Sequence, residues 1–208
     1  MEGDSLVQIA EEVRTCTRCD LCRTRTNSVP GAGNPNASVM FIGEGPGFNE
    51  DQQGLPFVGQ AGKYLNELLG IAGLSRDDVF ITNVVKCRPP SNRDPLPDEI
   101  AACSGYLERQ MKLIDPELVV TLGRFSMNRW FPADKISRIH GQERSFDDRM
   151  VMPMYHPAAA LRTGTVKVAL ESDFSRVPDV VAAAEKKRAK ANTPPPPVAE
   201  ELDQLPLF

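Results

Sequence analysis

The sequence lacks both long hydrophobic runs and a basic N-terminus. No segment reaches the roughly 18 uninterrupted apolar residues of a membrane-spanning helix, although 41% of the 208 residues are hydrophobic. The first residues, MEGDSLVQIAEEV, are acidic where a signal peptide would be basic. We therefore expect a cytoplasmic protein with no membrane segment.

An excess of positive charge is also lacking, because the net charge is −4 at pH 7. This net charge excludes a protein whose whole surface has a positive electrostatic potential and, taken alone, disfavours nucleic-acid binding. Two interpretations of the cationic residues stay open, a local basic face or scattered solvated side chains. The residues concerned are Lys86, Arg88 and Arg93 in one loop-like stretch and, later, Arg124, Arg129, Arg138, Arg144 and Arg162.

Cysteines are few, five in all, and in a reducing compartment they are poor material for disulfides. Cys16 and Cys19 form a C-x2-C pair, whereas Cys87 and Cys103 lie far along the chain. Four thiolates from two distant segments fit either tetrahedral zinc or a four-iron cluster. Cys22 adds a second C-x2-C step, so the first three cysteines could also imitate a ferredoxin triplet. Alternatively, Cys87 and Cys103 are small buried hydrophobic residues.

The length and hydrophobic content predict one domain with a single core. Short apolar runs predict strands at residues 38–42, 79–83, 118–122 and 150–155, the last weakened by Pro153. Helical spacing covers residues 6–14, 61–72 and 98–114. This alternation predicts an α/β fold, a three-layer sandwich with a central, largely parallel four-stranded sheet.

The C-terminal part differs in composition. From Ala182 the chain is rich in alanine and lysine and then reaches four prolines at 194–197, which predicts an extended linker. We expect the folded domain to span residues 1–185 and a flexible tail to span 186–208.

The loops that follow the predicted strands carry the unusual motifs, and in such sheets these loops converge on one crevice. The motifs are GEGPGFNED at 43–51, LPFVGQAG at 55–62, TNVVKCRPP at 82–90 followed by Asn92 and Arg93, and HPAA at 156–159. Occurring in this order, they resemble the iron–sulfur, thermostable-type branch of the uracil-DNA glycosylases, family 4. The resemblance spans roughly residues 10–185.

The resemblance implies a DNA-repair enzyme that flips uracil out of DNA and hydrolyses its N-glycosidic bond, leaving an abasic site. It also implies a 4Fe–4S cluster on Cys16, Cys19, Cys87 and Cys103, with Cys22 as an ordinary thiol. The implied role of the cluster is structural, with a redox role as the alternative. We expect a monomer.

Two functions from other classes compete with turnover. One is a binder or damage sensor that holds uracil-containing DNA, since some relatives trap uracil covalently; the other is a small iron–sulfur electron carrier. The trapping relatives carry a histidine-bearing basic insertion near the cysteine loop. Residues 92–97 lack it, which favours turnover. An electron carrier would not need the base-recognition residues described next.

Recognition of a flipped base needs a stacking surface and a hydrogen-bonding group. Phe57 is the candidate for stacking, which cannot itself distinguish uracil from cytosine. Asn83 offers a donor and an acceptor that match uracil O4 and N3–H. Glu44 and the Gly45 backbone are expected to line the pocket. In the alternative interpretation Phe57 is a core residue and Asn83 caps a strand.

Cleavage develops negative charge on the departing uracil, so the useful catalyst is a donor aimed at its O2 atom. His156 is the candidate, while His140 is interpreted as a loop residue. Gly45 stands where the best-known uracil glycosylases place a water-positioning aspartate. Glu50 is the nearest replacement, to orient water or shape the pocket edge, unless it is an exposed loop residue.

Contacts with DNA are expected from Lys86, Arg88, Arg93, Leu161 and Arg162. In relatives a large apolar residue four positions after the histidine often wedges into the vacated base stack. That position here is Ala160, so Leu161 is the candidate wedge from a shifted loop, unless flipping relies on other groups.

The last residues, QLPLF, resemble the peptides by which bacterial repair and replication proteins bind the sliding clamp. Gln204, Leu205, Leu207 and Phe208 would make this contact. The alternative is that the tail folds back onto an apolar groove of its own domain.

Overall fold

The computed structural model describes residues 4–146 and 149–191. Its strands are β1 (Ala32–Gly33), β2 (Val39–Gly43), β3 (Phe80–Asn83), β4 (Leu118–Leu122), β5 (Arg144–Phe146) and β6 (Arg149–Met154). Its α-helices are α1 (Leu6–Thr15), α2 (Phe48–Gln53), α3 (Gln60–Ile71), α4 (Pro97–Ile114), α5 (Arg124–Met127), α6 (Ile136–Ile139), α7 (Pro157–Ala160), α8 (Gly164–Ser175) and α9 (Val177–Ala191).

The strands form one six-stranded sheet in the order β1-β3-β2-β4-β6-β5. The four central strands, β3, β2, β4 and β6, are parallel to one another. They correspond to the four strands predicted from the apolar runs. The short strands β1 and β5 add antiparallel edges.

The central strands are mostly apolar and almost entirely buried because the sheet is covered on both faces. In β2, Met40 and Ile42 pack into one core cluster with α1 and α4. Phe41, from the same strand, packs into a second cluster with α3, α8 and α9. Successive side chains of a strand point to opposite faces, so one strand supplies both cores. The predicted three-layer α/β sandwich is confirmed.

The two edge strands are absent from the predictions because they are too short to show an alternating pattern. In β1, Gly33 has φ +130°, and a Cβ atom there would lie 2.0 Å from the Val79 carbonyl oxygen. The strand pairs through this close backbone approach rather than through apolar side chains.

The extended linker predicted from Ala182 is wrong for its first part, because helix α9 continues to Ala191. Val177, Val180 and Ala184 are buried. Further along, Arg188 forms ion pairs with the carboxylates of Asp115 and, at 3.3 Å, of Glu117. Alanine and lysine are strong helix formers, so the same composition continues a helix once its first turns are docked. The helix crosses the expected boundary at residue 185, and the clamp-binding-like peptide lies outside the described residues.

Among residues 4–146 and 149–191, no helix has both the length and the apolar character needed to span a membrane.

Candidate active site

Gly43 and Asn83 end β2 and β3 at the same edge of the sheet, opposite each other in the parallel register. A Cβ atom added to Gly43 would lie 2.4 Å from Asn83 Oδ1 and 2.7 Å from Phe57 Cζ. Only a residue without a side chain therefore fits beside the asparagine and the phenylalanine. The structure thus brings Phe57, the predicted stacking residue, next to Asn83, the predicted hydrogen-bonding residue.

Asn83 is 1% exposed, yet its side-chain oxygen has no hydrogen-bond partner among the described residues. Buried amide oxygens are nearly always paired, because an unpaired one costs about 1–3 kcal/mol. An unpaired acceptor at a strand end, next to an aromatic ring, indicates a ligand that donates a hydrogen bond there.

Phe57 occupies a strained turn, with a φ of +52° in a region that non-glycine residues rarely adopt. Its buried ring stacks on the His156 ring, with centroids 5.5 Å apart and 27° between the planes. Glu50 Oε1, from α2, accepts hydrogen bonds from the N–H groups of Val58 and Gly59, both at 2.8 Å. The Glu50 carboxylate therefore holds the chain just after the strained residue.

Arg76 supports the same turn, although no sequence motif marks it. Its guanidinium donates to the carbonyl oxygens of Pro56, at 2.5 Å, and Phe57, at 2.9 Å. Burial lowers the Arg76 pKa, and the nearby Glu50 carboxylate opposes that shift. Gly62 of α3 permits the fit, because a Cβ atom there would lie 1.8 Å from the Phe57 carbonyl oxygen. Of these two supporting residues, Gly62 lies within the LPFVGQAG motif and Arg76 lies outside every motif.

His156 precedes α7 and caps it, with Nδ1 accepting a hydrogen bond from Ala158 N–H at 3.1 Å. In the neutral ring the proton must then be on Nε2, so that atom is a hydrogen-bond donor. Burial lowers the His156 pKa to about 4, against a small opposing effect of the Glu50 charge. The ring is therefore neutral at physiological pH.

Glu44 and Gly45 follow β2 at the same edge of the sheet. Burial raises the pKa of Glu44, Asp94 adds to that shift, and Arg124 opposes it. A Cβ atom on Gly45 would lie 2.8 Å from Val85 Cγ2, so the backbone itself forms the wall here. The Val85 N–H donates to the Glu44 carbonyl oxygen at 3.1 Å, which places this segment beside the chain that follows Asn83. That the two residues line the base pocket stays a prediction.

All five cysteines line one small cavity, together with Arg18, Lys86, Glu99 and Tyr106 among others. The N-terminal segment, the loop after β3 and helix α4 meet there. Cys22 lines the cavity as well, so lining alone does not separate it from the four predicted ligands. Within the described residues, no group of three or more His, Cys, Asp or Glu side chains has an arrangement that could hold a metal ion.

The cysteine sulfurs receive hydrogen bonds from nitrogen donors. Arg25 Nη1 donates to Cys87 Sγ at 3.0 Å, and the Lys86 backbone N–H donates to Cys103 Sγ at 3.3 Å. Burial raises the pKa of Cys87 to about 11, against the opposing effect of Arg25. Nitrogen donors around buried sulfurs suit thiolate ligands rather than neutral thiols.

Comparison with known proteins decides the family. A model of the uracil DNA glycosylase superfamily matches residues 30–174. The type-4 uracil-DNA glycosylase of Sulfurisphaera tokodaii is 50% identical over 184 residues, which are 84% of each chain. That of Saccharolobus solfataricus is 49% identical over 190 residues, covering 86% of this chain and 88% of the relative. The type-4 enzyme of Thermotoga maritima is 44% identical over 157 residues, covering 74% and 82%.

The chain belongs to the uracil DNA glycosylase superfamily, in its type-4 branch. The family resemblance deduced from the loop motifs is thereby confirmed. In this glycosylase fold the matched region contains Asn83, Phe57 and His156, and ends within α8.

The expected DNA contact by Lys86 of the glycosylase is wrong, because the side chain lies inside the protein. It is 1% exposed, and its ammonium group donates to Thr82 Oγ1, the Asn83 carbonyl oxygen and Gln110 Oε1. A lysine after a strand is normally solvated, so the sequence carried no signal for this burial.

Two predicted DNA-contact arginines lie on the loop after β3. Arg88 is half-buried, and its guanidinium lies 5.1 Å from the centre of the Phe48 ring, which is 55% exposed. Arg93 forms a bidentate ion pair with Glu99, at 2.6 and 2.9 Å. Phe48 was not among the predicted residues, although an exposed aromatic ring beside an arginine is suited to stacking on bases.

The loop after His156 exposes the candidate wedge. Leu161 is 52% exposed, whereas Ala160 is only 6% exposed and packs into the core. Arg162 next to it is exposed as well. This arrangement is consistent with Leu161, rather than Ala160, as the apolar residue available at the surface.

Proposed function

We propose that this chain is a uracil-DNA glycosylase, which flips uracil out of DNA and hydrolyses the bond between the base and deoxyribose. Membership of the type-4 branch supports this activity. The observation that carries the proposal is the buried, unpaired Asn83 Oδ1 beside the Phe57 ring. Asn83 Oδ1 can accept the N3–H of uracil while the amide nitrogen donates to O4. Cytosine presents the reversed pattern, so the pocket rejects it.

Phe57 would supply the stacking surface for the extruded base. Extrusion costs a few kcal/mol, and stacking on an aromatic ring returns about 1–3 kcal/mol. Glu50 holds the backbone N–H groups just after Phe57, and Arg76 holds the carbonyl oxygen just before it. A surface fixed before the base arrives loses little entropy on binding.

His156 would donate a hydrogen bond from Nε2 to uracil O2 as negative charge develops on the leaving base. The backbone bond to Nδ1 directs the proton to Nε2, and the lowered pKa keeps the ring neutral. An oriented donor of this kind contributes about 3 kcal/mol to lowering the barrier. Neutral imidazole therefore acts as an electrostatic stabiliser and not as a general acid.

Glu50 is better suited to positioning the chain than to orienting water, the first of the two roles expected for it. Both of its oxygens are engaged, Oε1 with Val58 and Gly59 and Oε2 with the Gly47 N–H at 3.1 Å. We propose that Glu50 shapes the pocket edge by holding the Phe57 turn. This matches the second of the two roles expected for it.

We propose that Cys16, Cys19, Cys87 and Cys103 hold a 4Fe–4S cluster. Two observations support this assignment: the four sulfurs line one cavity, and two of them accept hydrogen bonds from nitrogen. The described residues contain no group arranged to hold a single metal ion, but a four-iron cluster is larger and is held by thiolates placed around it. Bound there, the cluster would cross-link the N-terminal segment to the loop after β3. The purified protein should contain about four irons per chain, and Cys22→Ser should keep them while Cys87→Ser loses them. Stoichiometric zinc, or iron lost only in Cys22→Ser, would contradict this assignment.

Arg88, Arg93, Leu161 and Arg162 are the proposed DNA contacts, with Leu161 as the wedge. We further propose a cytoplasmic monomer whose C-terminal peptide, Gln204, Leu205, Leu207 and Phe208, binds a bacterial sliding clamp. Titrating a labelled peptide of the tail with clamp tests the last point. Saturable binding that is lost when Leu207 and Phe208 become alanine is expected, and binding unchanged by these substitutions would end the proposal.

The activity itself is tested with matched oligonucleotides that contain uracil or cytosine at one position. Alkali treatment after incubation should cut only the uracil strand, at the abasic site, with many strands cut per enzyme molecule. Cleavage limited to one strand per enzyme, or stable binding without alkali-sensitive sites, would instead indicate a binder that does not turn over.

A further inference from the structure

Lys86 is the one lysine in the described residues with a fully buried side chain, and it lies between the Asn83 pocket and the cysteine cavity. Its ammonium group donates three hydrogen bonds, to Thr82 Oγ1 at 2.6 Å, Gln110 Oε1 at 2.7 Å and the Asn83 carbonyl oxygen at 2.8 Å. An ammonium has three donors, so its hydrogen-bonding capacity is filled.

The partners of Lys86 are themselves anchored. Gln110 Nε2 donates to the Pro30 carbonyl oxygen at 2.7 Å, and Thr82 Oγ1 donates to the same oxygen at 2.9 Å. The network thus joins β3, helix α4 and the segment before β1 around one cation. All three acceptors of the ammonium are uncharged oxygens. Burying a charge among neutral groups is costly, so retaining it calls for a role that an apolar residue would not fill.

The backbone of Lys86 extends the network toward the cysteines. Its N–H donates to Cys103 Sγ at 3.3 Å, and its carbonyl oxygen accepts from the Val29 N–H at 2.7 Å. One residue therefore contacts the main chain of Asn83 through its side chain and a cysteine of the cavity through its main chain. The Asn83 side chain, with its unpaired oxygen, depends on where this main chain is held.

We infer that Lys86 is a positioning residue for uracil recognition, which fixes the strand end that carries Asn83 and ties it to the cysteine cavity. This inference rests on the proposed uracil pocket. A positioning role differs from a DNA phosphate contact in what it affects. A phosphate contact acts on every DNA sequence and depends on salt, whereas a positioning residue acts on the base alone.

The test compares Lys86→Met with Arg88→Ala. The second variant also removes one cation, but from a half-buried side chain whose guanidinium donates to Asn92 Oδ1 at 2.7 Å. Inhibition by free uracil reports the pocket, and the slope of log affinity for uracil-free DNA against log salt reports phosphate contacts. Lys86→Met should raise the uracil inhibition constant about tenfold or more and leave the salt slope unchanged. Arg88→Ala should leave uracil inhibition unchanged and reduce the salt slope by about one.

A reduced salt slope with unchanged uracil inhibition in Lys86→Met would overturn the inference. So would a loss of thermal stability with unchanged uracil inhibition, because that marks a purely structural lysine. Should Lys86→Met fold poorly or lose iron, Thr82→Val and Gln110→Leu each remove one acceptor. Each should raise the uracil inhibition constant several-fold, and wild-type inhibition by both would overturn the inference.

Asn83→Ala, measured beside them, separates this inference from the proposed function. If Asn83→Ala does not weaken uracil inhibition, the pocket itself is misplaced. If Asn83→Ala weakens it and the Lys86 network variants do not, only the role of Lys86 is wrong.

Discussion

The Asn83 side chain and the Lys86 ammonium lie close together on one segment, and they differ in how their polar atoms are satisfied. The Asn83 oxygen is buried without a partner in the described residues, next to a phenylalanine in a strained turn. The Lys86 ammonium is equally buried, but each of its donors has an acceptor. Unpaired atoms and strain are tolerated where a ligand completes the site, and full pairing marks the scaffold that holds it.

The largest effect is expected when the side chains that bind the base are removed. Asn83→Ala and His156→Ala should each slow uracil release in single-turnover assays by about a hundredfold or more, because each removes a directed hydrogen bond to the leaving base. His140→Ala is the matched control, since that histidine pairs with Asp173 at 2.8 Å. Rates near wild type in both pocket variants would show that the pocket lies elsewhere.

A smaller effect is expected from the support of the strained turn. Arg76→Lys keeps the charge but cannot donate the paired hydrogen bonds to Pro56 and Phe57. The rate of uracil release should fall about tenfold. Arg109→Lys, in the ion-pair cluster with Asp4 and Glu12, serves as control and should stay near wild type. An equal loss in both variants would point to general destabilisation.

Leu161, the proposed wedge, should contribute still less to the rate of uracil release, and only on duplex DNA. Leu161→Ala should lower uracil release from a duplex several-fold and leave single-stranded substrate unaffected, because only the duplex must be unstacked. Val168→Ala removes an apolar side chain that is 67% exposed on α8 and should have no effect. A loss on both substrates would assign Leu161 to something other than unstacking.

The smallest effect is expected from pH. The His156 pKa is lowered to about 4 by burial, so the neutral donor persists as pH falls through 6.5, the usual histidine value. The single-turnover rate should therefore be flat across that value and fall only as pH approaches 4. His156→Gln should lose this acidic limb. A single-turnover rate that halves near pH 6.5 and keeps falling below it, in the wild type but not in His156→Gln, would show that His156 titrates normally.

Most of the fold could be predicted because its central strands are buried on both faces and read as short apolar runs. The edge strands could not, since Gly33 pairs through its backbone. The start of the tail is predicted too early, because helix α9 continues to Ala191. The ion pairs of Arg188 with Asp115 and Glu117 join it to residues distant in sequence.

The site shows the same division. Asn83, Phe57 and His156 lie in loop motifs that resemble a known family, and the structure brings them together. Arg76 lies in no motif, because its role is to bind two carbonyl oxygens that any residues could present. The sequence predicts Lys86 as a DNA contact and could not show that it is buried, because burial of a charge depends on the partners that the fold assembles around it.

A crystal structure with free uracil bound tests the central claim most directly, that the unpaired Asn83 oxygen marks the base site. The account predicts the uracil ring stacked on Phe57, with N3 within hydrogen-bonding distance of Asn83 Oδ1 and O2 near His156 Nε2. Uracil bound elsewhere, with the Asn83 oxygen satisfied by a water or a protein group, would contradict it.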